Sequence, residues 1–377
     1  MRSSETQKDD NGVLLSIVIP VFNHIELTRE CIESIRRNTK VDCEIVVEIV
    51  VVDNGSTDET ASYLRDQSIR VITNSENLGF PRAANQGIES ARGEYICLLN
   101  NDVTVLEGWL EPLLESLEQD SLVGIVGPKQ VSPGGTVWHA GTAFGPEDNL
   151  TLARKPFHIF IDFPEDDPLV NVKRTYPAMN FGCCLIPARL FDKVGLLDDE
   201  TFIFPGLFED VDWCLRLRKS GHMCLYRPDS KVIHLANQTL HKTGESLKRK
   251  SLVAVETNLE RLIEKWRDEP ESFLVPDEIR PVLDDYFGSA IFLCGENAEL
   301  RLQLTEVSDY ARKLEEELRK ASASNDEGSA YARKLEAEWK LKSEQLEAAQ
   351  VRLAQLIDES APRETRGGCL RGRLKKR

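Results

Sequence analysis

The chain has 377 residues, of which 41% are hydrophobic, and a formal net charge of −16. This composition supports one large hydrophobic core or two smaller ones, and it argues against a nucleic-acid binder, which needs clustered Lys and Arg. No segment approaches the about 20 apolar residues of a membrane-spanning helix, and the polar N-terminus lacks a secretory signal. The nine cysteines are scattered without a CxxC pair, which favours buried, reduced thiols in a cytoplasmic protein.

The first hundred residues alternate short apolar runs with amphipathic segments. The predicted strands are residues 14–20, 45–52, 71–72 and 95–99, and the predicted helices are residues 27–37, 58–65 and 80–91. Strands that alternate with helices favour a parallel, doubly wound α/β sheet.

Beyond residue 102 the pattern is mixed. Helices are predicted at residues 109–118, 209–220 and 242–266, and strands at residues 123–126, 181–186 and 232–234. The Gly-, Pro- and Asp-rich region from about residue 134 to 177 is typical of long loops with short strands.

Acidic and amide side chains follow two of the predicted strands. One apolar run leads into Asp53 and Asn54, and another leads into Asn101 and Asp102. In open α/β sheets, ligands bind outside the carboxyl ends of the strands. We therefore expect the two acidic loops to converge on a phosphorylated ligand and its metal.

The phosphates of such a ligand need a metal, because the sequence contains neither a Walker A motif nor GxGxxG. Mg²⁺ and Mn²⁺ prefer oxygen ligands and commonly bridge one or two carboxylates to a diphosphate. Asp102 is the candidate ligand. Taken alone, an Asp at this place is also typical of a residue that caps the next segment.

Six motifs occur in a specific order. They are SIVIPVFN at 16–23, VVDNGSTD at 51–58, NLGFPRAANQG at 77–87, LLNND at 98–102, GLLD at 195–198 and FEDVDWCLR at 208–216. This series resembles the family 2 glycosyltransferases, especially the bacterial rhamnosyltransferase-like members, over about residues 14–240. The resemblance implies a GT-A fold with a Rossmann-like, mostly parallel sheet, a nucleotide-sugar donor, Mg²⁺ or Mn²⁺ as cofactor, and an inverting mechanism.

The resemblance also implies roles for individual residues. Asp210 matches the proposed catalytic base, and Glu209 lies beside it. Asp102 matches the last acid of the metal-binding DxD motif, whose first acid is an asparagine here, and His234 matches a late histidine at the metal–diphosphate site. The implied donor-binding residues are Pro20, Phe22, Asn23, Asp53, Asn54, Asn77, Gly79, Arg82, Asn101, Asp102 and Gly182.

Several of these residues have a structural alternative. His234 is equally typical of a packed or capping residue, and Arg82 of a surface residue. Like charge from Glu209 and Asp212 would raise the pKa of Asp210. For Asp212 we favour a pairing with Arg216 or Arg218 along the helix. Trp213 could stack on an acceptor sugar, although packing within the protein is the favoured interpretation.

A heptad repeat marks residues 300–356, in which YARKLE at 310–315 recurs at 331–336, three whole heptads later. The repeat predicts a coiled coil and a homodimer, and the alternative is a single solvated helix. The tail beyond residue 361 is basic, which predicts either contact with an anionic membrane surface or a disordered, solubilising tail. The predicted domains are a disordered N-terminus (1–12), the GT-A domain (13–268), a linker or helical connection (269–296), the coiled coil (297–360) and the basic tail (361–377).

Together these patterns predict an enzyme that transfers a sugar to a glycan or lipid-linked acceptor in bacterial cell-surface polysaccharide synthesis. It would be cytoplasmic, with peripheral contact at the inner face of the plasma membrane. One alternative is a catalytically decayed domain that serves as a coiled-coil scaffold. Another is a nucleotidyltransferase, which would need a Gly-rich first loop with a basic residue; residues 20–23 lack both.

Overall fold

The computed structural model describes residues 13–39, 45–145, 154–202, 207–235 and 245–269, together with Phe273 and Lys340. The chain divides into two units, Met1–Arg280 and Pro281–Arg377. Apart from Lys340, the predicted coiled coil and basic tail lie outside the described residues. The predicted dimer, membrane contact and domain boundaries therefore stay predictions.

The described part contains twelve strands and seven helices. In chain order they are β1 (Val13–Val21), α1 (Ile25–Asn38), β2 (Ile45–Asp53), α2 (Thr60–Arg65), β3 (Arg70–Thr73), α3 (Phe80–Ser90), β4 (Tyr95–Leu99), β5 (Val103–Val105), α4 (Glu111–Gln119), β6 (Val123–Val131), β7 (Val137–His139), β8 (Thr142–Phe144), β9 (Pro156–His158), β10 (Arg174–Tyr176), β11 (Cys183–Pro187), α5 (Arg189–Val194), α6 (Glu209–Lys219), β12 (Met223–His234) and α7 (Glu245–Lys265).

Ten strands form one mixed sheet with the order β10-β12-β6-β11-β4-β1-β2-β3, in which β5 also pairs with β12 and β7 with β6. The run β3-β2-β1-β4 is parallel, as predicted. The other half of the sheet is mixed rather than mostly parallel: β12 is parallel to β6, but β11 is antiparallel to both β4 and β6. A parallel pair of consecutive strands needs a long crossover connection, usually a helix. The turn between β6 and β7 is too short for one, so these two strands pair antiparallel.

The core is built around the parallel strands. Ile17, Val51 and Leu98 are completely buried, which explains why these strands are continuously apolar rather than alternating. Helix α3 packs closely because Gly87 has no side chain: a Cβ there would lie 2.3 Å from a methyl group of Val18.

The six described cysteines are all free and buried, as the sequence predicts. No helix within the described ranges has the length and apolarity that crossing a bilayer would require.

Candidate active site

The carboxyl ends of β1, β2 and β3 lie side by side, with Val21 opposite Asp53 and Asp53 opposite Thr73. The loops that follow are joined by backbone hydrogen bonds. The amide of Asn54 donates to the carbonyl of Val21 and the amide of Asn74 donates to the carbonyl of Asp53, both at 2.8 Å. The edge predicted from the sequence is therefore a single, hydrogen-bonded surface.

The loop after β1 turns through Asn23, which has a positive φ of 56°. Asparagine tolerates this left-handed conformation better than most residues. Its amide donates to Ser56 Oγ, and its Oδ1 accepts from the amide of Thr57, each at 2.8 Å. Asn23 thus ties the first loop to the second, beside the half-buried Pro20 and Phe22.

Asp53 ends β2 and shapes the loop that follows it. Its side chain is 1% exposed, and Oδ1 accepts a hydrogen bond of 2.9 Å from the amide of Ser56. The structure therefore places Asp53 at the predicted edge, and its contact with a donor stays a prediction.

Four amide side chains connect β2, β3 and α3; we call Asn54, Asn74, Asn77 and Gln86 the amide network. Asn54 Nδ2 donates to Asn77 Oδ1 at 2.9 Å, while Asn54 Oδ1 accepts from Asn74 Nδ2 and from the amide of Leu78, both at 3.0 Å. Asn74 and Gln86 exchange two further bonds of 2.8 and 2.9 Å. Asn77 also accepts from the amide of Gly79, which begins the turn into α3.

Two predicted donor-binding side chains contact other parts of the protein. Arg82 Nε lies 2.8 Å from Asp199 Oδ2 in a partly exposed ion pair. Asn101 Nδ2 donates to Thr28 Oγ1 on α1 at 3.1 Å. Asn101 follows the carboxyl end of β4 and Arg82 lies in the first turn of α3, and their contact with a donor stays a prediction.

Asp102 and His234 are brought together by the pairing of β5 with β12, in which His234 lies opposite Val103. His234 Nε2 is 3.1 Å from Asp102 Oδ1, and the two side chains are 7% and 12% exposed. The amide of Leu235 also donates to the Asp102 carbonyl at 3.0 Å. The two predicted metal ligands therefore form one pair although they are far apart in sequence.

This pair fits a divalent cation of the expected kind. In an octahedral shell with ligand distances of about 2.1 Å, neighbouring ligand atoms lie about 3 Å apart, which matches the spacing of Asp102 Oδ1 and His234 Nε2. Among the described residues there is no group of three or more His, Cys, Asp or Glu that could hold a metal. An ion held by this pair would take its other ligands from phosphate oxygens and water.

A strained turn leads into α6, where Leu207 and Phe208 have positive φ values of 91° and 72°. Bulky residues rarely adopt this conformation, and strain of this kind clusters at functional sites. It presents Glu209 and Asp210 in the first turn of α6, which we call the acid turn.

Burial raises the pKa of Asp210 to about 6, although hydrogen bonds from the backbone amides of Val211 and Phe181 oppose the shift. Burial, followed by the neighbouring charge of Asp210, raises the pKa of Glu209 to about 8. Glu209 Oε2 has no hydrogen-bond partner among the described residues. The pKa of Asp210 is therefore raised, as predicted, but the largest cause is burial rather than like charge.

The segment Phe181–Gly182 joins the acid turn to the Asp102–His234 pair. The amide of Phe181 bonds Asp210, and the carbonyl of Gly182 accepts from the amide of Asn100 at 2.9 Å. A Cβ on Gly182 would lie 2.9 Å from His234 Cε1. The structure therefore places Gly182 behind the histidine ring, and its predicted contact with a donor stays a prediction.

The sequence profile of the family "Glycosyl transferase family 2" matches residues 16–175. This stretch of the chain is therefore similar to a family 2 glycosyltransferase domain. The match runs from within β1 to within β10, and thus includes Asp53, the amide network and Asp102.

Three curated proteins share sequence with this chain. An uncharacterized protein (y4gI) of Sinorhizobium fredii is 29% identical over 59% of the chain, and the O-antigen biosynthesis protein RfbC of Myxococcus xanthus is 27% identical over 58%. The chain spans only 24% and 17% of their lengths. An N-acetylglucosaminyl-diphospho-decaprenol L-rhamnosyltransferase of Mycobacterium tuberculosis is 26% identical over 52% of the chain and 68% of the relative.

Among solved structures, that of GalNAc-T7 with UDP, GalNAc and Mn²⁺ superposes with a TM-score of 0.50 at 21% identity. The likeness covers 70% of this chain and 50% of GalNAc-T7. It shows the shared fold, a GT-A-like mixed α/β sheet.

Asp212 and Trp213, for which the sequence left two interpretations open, have structural partners. Asp212 is completely buried and accepts from Arg216 Nε at 2.9 Å, Lys265 Nζ at 2.8 Å and Trp266 Nε1 at 2.9 Å. Trp213 is also completely buried, and its Nε1 donates to the Gly195 carbonyl at 2.8 Å. The favoured structural interpretations of both residues agree with these contacts.

Sequence reasoning missed the residues that contact the far side of His234. Gln130 Oε1 accepts from His234 Nδ1 at 2.8 Å, and Trp138 packs edge-on against the ring with centroids 6.2 Å apart. The signal that could have found Gln130 was a polar residue inside a buried strand, since all nine residues of β6 are buried. The predicted strand ended at Val126 and so did not reach Gln130.

Proposed function

We propose that this chain is an inverting glycosyltransferase that moves a sugar from a nucleoside-diphosphate donor to a hydroxyl of a glycan or lipid-linked acceptor. The observation that carries the proposal is the link through Phe181–Gly182 between a partly buried carboxylate, Asp210, and the Asp102–His234 pair. The relatives named for O-antigen biosynthesis and rhamnosyl transfer support a role in cell-surface polysaccharide synthesis.

The donor would bind at the carboxyl edge of the parallel strands. Loop residues 20–23 and Asp53 would contact the nucleoside, since both face this edge and are tied together through Asn23. The amide network holds the second loop against α3, so that the binding surface is formed before the donor arrives. Preformed sites bind with a smaller entropic cost.

Asp102 and His234 would hold Mg²⁺ or Mn²⁺ against the diphosphate. When bound, the ion neutralises negative charge that develops on the leaving nucleoside diphosphate, which is a large catalytic contribution. The fold relative GalNAc-T7 was solved with UDP and Mn²⁺, which is consistent with this assignment.

Asp210 would act as the general base. Its carboxylate takes the proton of the acceptor hydroxyl while that oxygen attacks the anomeric carbon, and the bond from that carbon to the diphosphate breaks. Attack opposite the leaving group inverts the configuration. Because the pKa of Asp210 is raised to about 6, the base would be ionised above that pH. Glu209, with a pKa near 8, would remain largely neutral at pH 7 and add no second charge.

The test is a panel of nucleotide sugars, with Mn²⁺ or Mg²⁺, assayed for binding and for slow donor hydrolysis. We expect Asp102→Asn to weaken metal-dependent donor binding strongly. Asp210→Asn should spare binding and lower turnover by about 10²–10⁴-fold. Asp120→Asn, at the end of α4, is the matched control and should change neither. The anomeric configuration of the product, read by NMR, tests inversion.

Other outcomes would favour the alternatives. If no nucleotide sugar binds with either metal, the decayed-scaffold hypothesis becomes the better account. Metal-dependent release of pyrophosphate from a nucleoside triphosphate would favour a nucleotidyltransferase.

We also propose, from the sequence alone, that the heptads form a dimer and that the basic tail contacts the inner face of the plasma membrane. The tail carries Arg366, Arg371, Arg373, Lys375, Lys376 and Arg377. Each Lys or Arg near anionic lipid contributes about 1 kcal/mol. Removal of residues 363–377 should therefore weaken co-sedimentation with phosphatidylserine vesicles, and unchanged binding would disprove the membrane contact.

A further inference from the structure

A chain of buried amides ends at His234. Gln130 lies in β6 and is completely buried. Its Nε2 donates to Asn180 Oδ1 at 2.6 Å, and its Oε1 accepts from His234 Nδ1 at 2.8 Å. The three side chains come from β6, the segment before β11, and the end of β12, so they are held by three separate parts of the sheet.

The direction of these bonds places a hydrogen on Nδ1 of His234. Because Gln130 uses its NH₂ group on Asn180, it presents its oxygen to the histidine. An oxygen can only accept, so Nδ1 donates to it. Trp138, which packs edge-on against the ring, has no acceptor to offer, since an indole N–H only donates. Nε2 is thus the nitrogen that faces Asp102.

The hydrogen bond between Gln130 and His234 needs the space that Gly182 leaves by having no side chain. A Cβ at that position would lie 3.2 Å from Gln130 Oε1 and 3.3 Å from His234 Nδ1, in addition to its close approach to Cε1. A side chain there would push the amide and the ring apart. The glycine therefore permits the hydrogen bond between Gln130 and His234.

We propose that Gln130, anchored by Asn180, is a positioning residue that holds His234 with Nε2 toward Asp102 and thereby sets the affinity of this pair for a divalent cation. The inference rests on the proposed function, because it requires the metal to bind at Asp102 and His234. Partners that orient a ligating histidine typically change metal affinity by about 10–100-fold when they are removed. Nitrogen ligands favour Mn²⁺ over Mg²⁺, so the Mn²⁺ preference should depend on Gln130.

The experiment compares Gln130→Met, which removes the acceptor, with Gln130→Glu, which keeps it. Mn²⁺ binding to the full chain is titrated by EPR with inorganic pyrophosphate, and Mg²⁺ is used as competitor. In parallel, ¹H–¹⁵N NMR of the metal-free protein reports the hydrogen-bonded hydrogen on Nδ1 of His234. We expect Gln130→Met to weaken Mn²⁺ binding by about 10–100-fold and to lose the Nδ1–H signal, and Gln130→Glu to retain both.

Thr39→Val is the matched control, because it also removes a buried acceptor, that of Trp109 Nε1, in another part of the domain. It should leave Mn²⁺ binding within about twofold of the wild type. If Gln130→Met fails to fold, Asn180→Ala releases the same amide, and we expect a weaker loss in the same direction.

The proposed function and the inference can fail separately. If Asp102→Asn and His234→Ala bind Mn²⁺ as the wild type does, the proposed metal site is wrong and the inference falls with it. If both lose binding while Gln130→Met changes neither the affinity nor the Nδ1–H signal, the metal site stands and only the role of Gln130 is overturned.

Discussion

The amide network and the acid turn are both polar and at least half-buried, yet their hydrogen bonding differs. In the amide network, Asn54 uses both ends of its side chain and its neighbours bond one another. In the acid turn, burial raises the pKa values of both carboxyls, and Glu209 Oε2 lacks a partner among the described residues. Satisfied polar groups hold a loop in place, whereas acids whose pKa values are raised by burial are suited to exchange protons near neutral pH.

Asp212→Ala should have the largest effect on stability. Asp212 lies next to the acid turn, yet its carboxylate is as fully hydrogen-bonded as the amide network. Asp212→Ala would leave Arg216 and Lys265 without their buried partner. We expect the free energy of unfolding to fall by about 3–5 kcal/mol, measured by chemical denaturation. Asp199→Ala, which removes an exposed ion pair, is the control. A loss no larger than that of the control would show that Asp212 is not a structural residue.

Asn54→Ala tests whether the amide network stabilises the fold. It removes a side chain that bonds Asn74, Asn77 and the backbone of Leu78, and it leaves the Leu78 amide without its acceptor. We expect a loss of about 2–3 kcal/mol in thermal or chemical unfolding. Asn38→Ala, which removes a single bond to the Val105 carbonyl, should cost about 1 kcal/mol. Equal losses for the two variants would contradict a cooperative network.

Glu209→Gln should change how the free energy of unfolding depends on pH, because it removes a buried acid. The folded-state pKa of Glu209 is raised from 4.5 to about 8. The folded state therefore binds the proton more tightly than the unfolded state, and the wild type should lose stability as pH rises from about 4.5 toward 8. Glutamine cannot ionise. Between pH 6 and pH 9, the variant should therefore lose less free energy of unfolding than the wild type. We expect this difference, measured by denaturant titration at both pH values, to be on the order of 2 kcal/mol. Parallel curves for the two proteins would argue against the raised pKa.

Arg82→Ala should have the smallest effect on stability, because its ion pair with Asp199 is exposed. We expect no measurable change in the thermal midpoint. Donor affinity then separates the two interpretations of this residue. A weaker donor complex would indicate a direct contact, and an unchanged one would assign Arg82 to the surface.

Local pattern explains which elements could be predicted. The bounds of β4 match the prediction, since its apolar run is unbroken. In contrast, β12 spans Met223–His234, and only its last three residues were predicted. Arg227 and Asp229 interrupt its apolar pattern, and the register with β6 shifts between Arg227 and Lys231. These charges are tolerated in a strand because Arg227 pairs with Asp229 and Glu115, a partner from α4.

The amino-acid sequence by itself determined the order of strands and loops, the acids at the strand ends and the first turn of α6, because these depend on neighbours a few residues away. Only the tertiary structure decided that Asp102 faces His234, that Asp212 is paired with α7 and the residue after it, and that Gln130 bonds His234. Gln130 and His234 are 104 residues apart, and Gln130 and Asn180 are 50 apart. No local pattern encodes such contacts, because they form only when β6, β11 and β12 are placed side by side in the sheet.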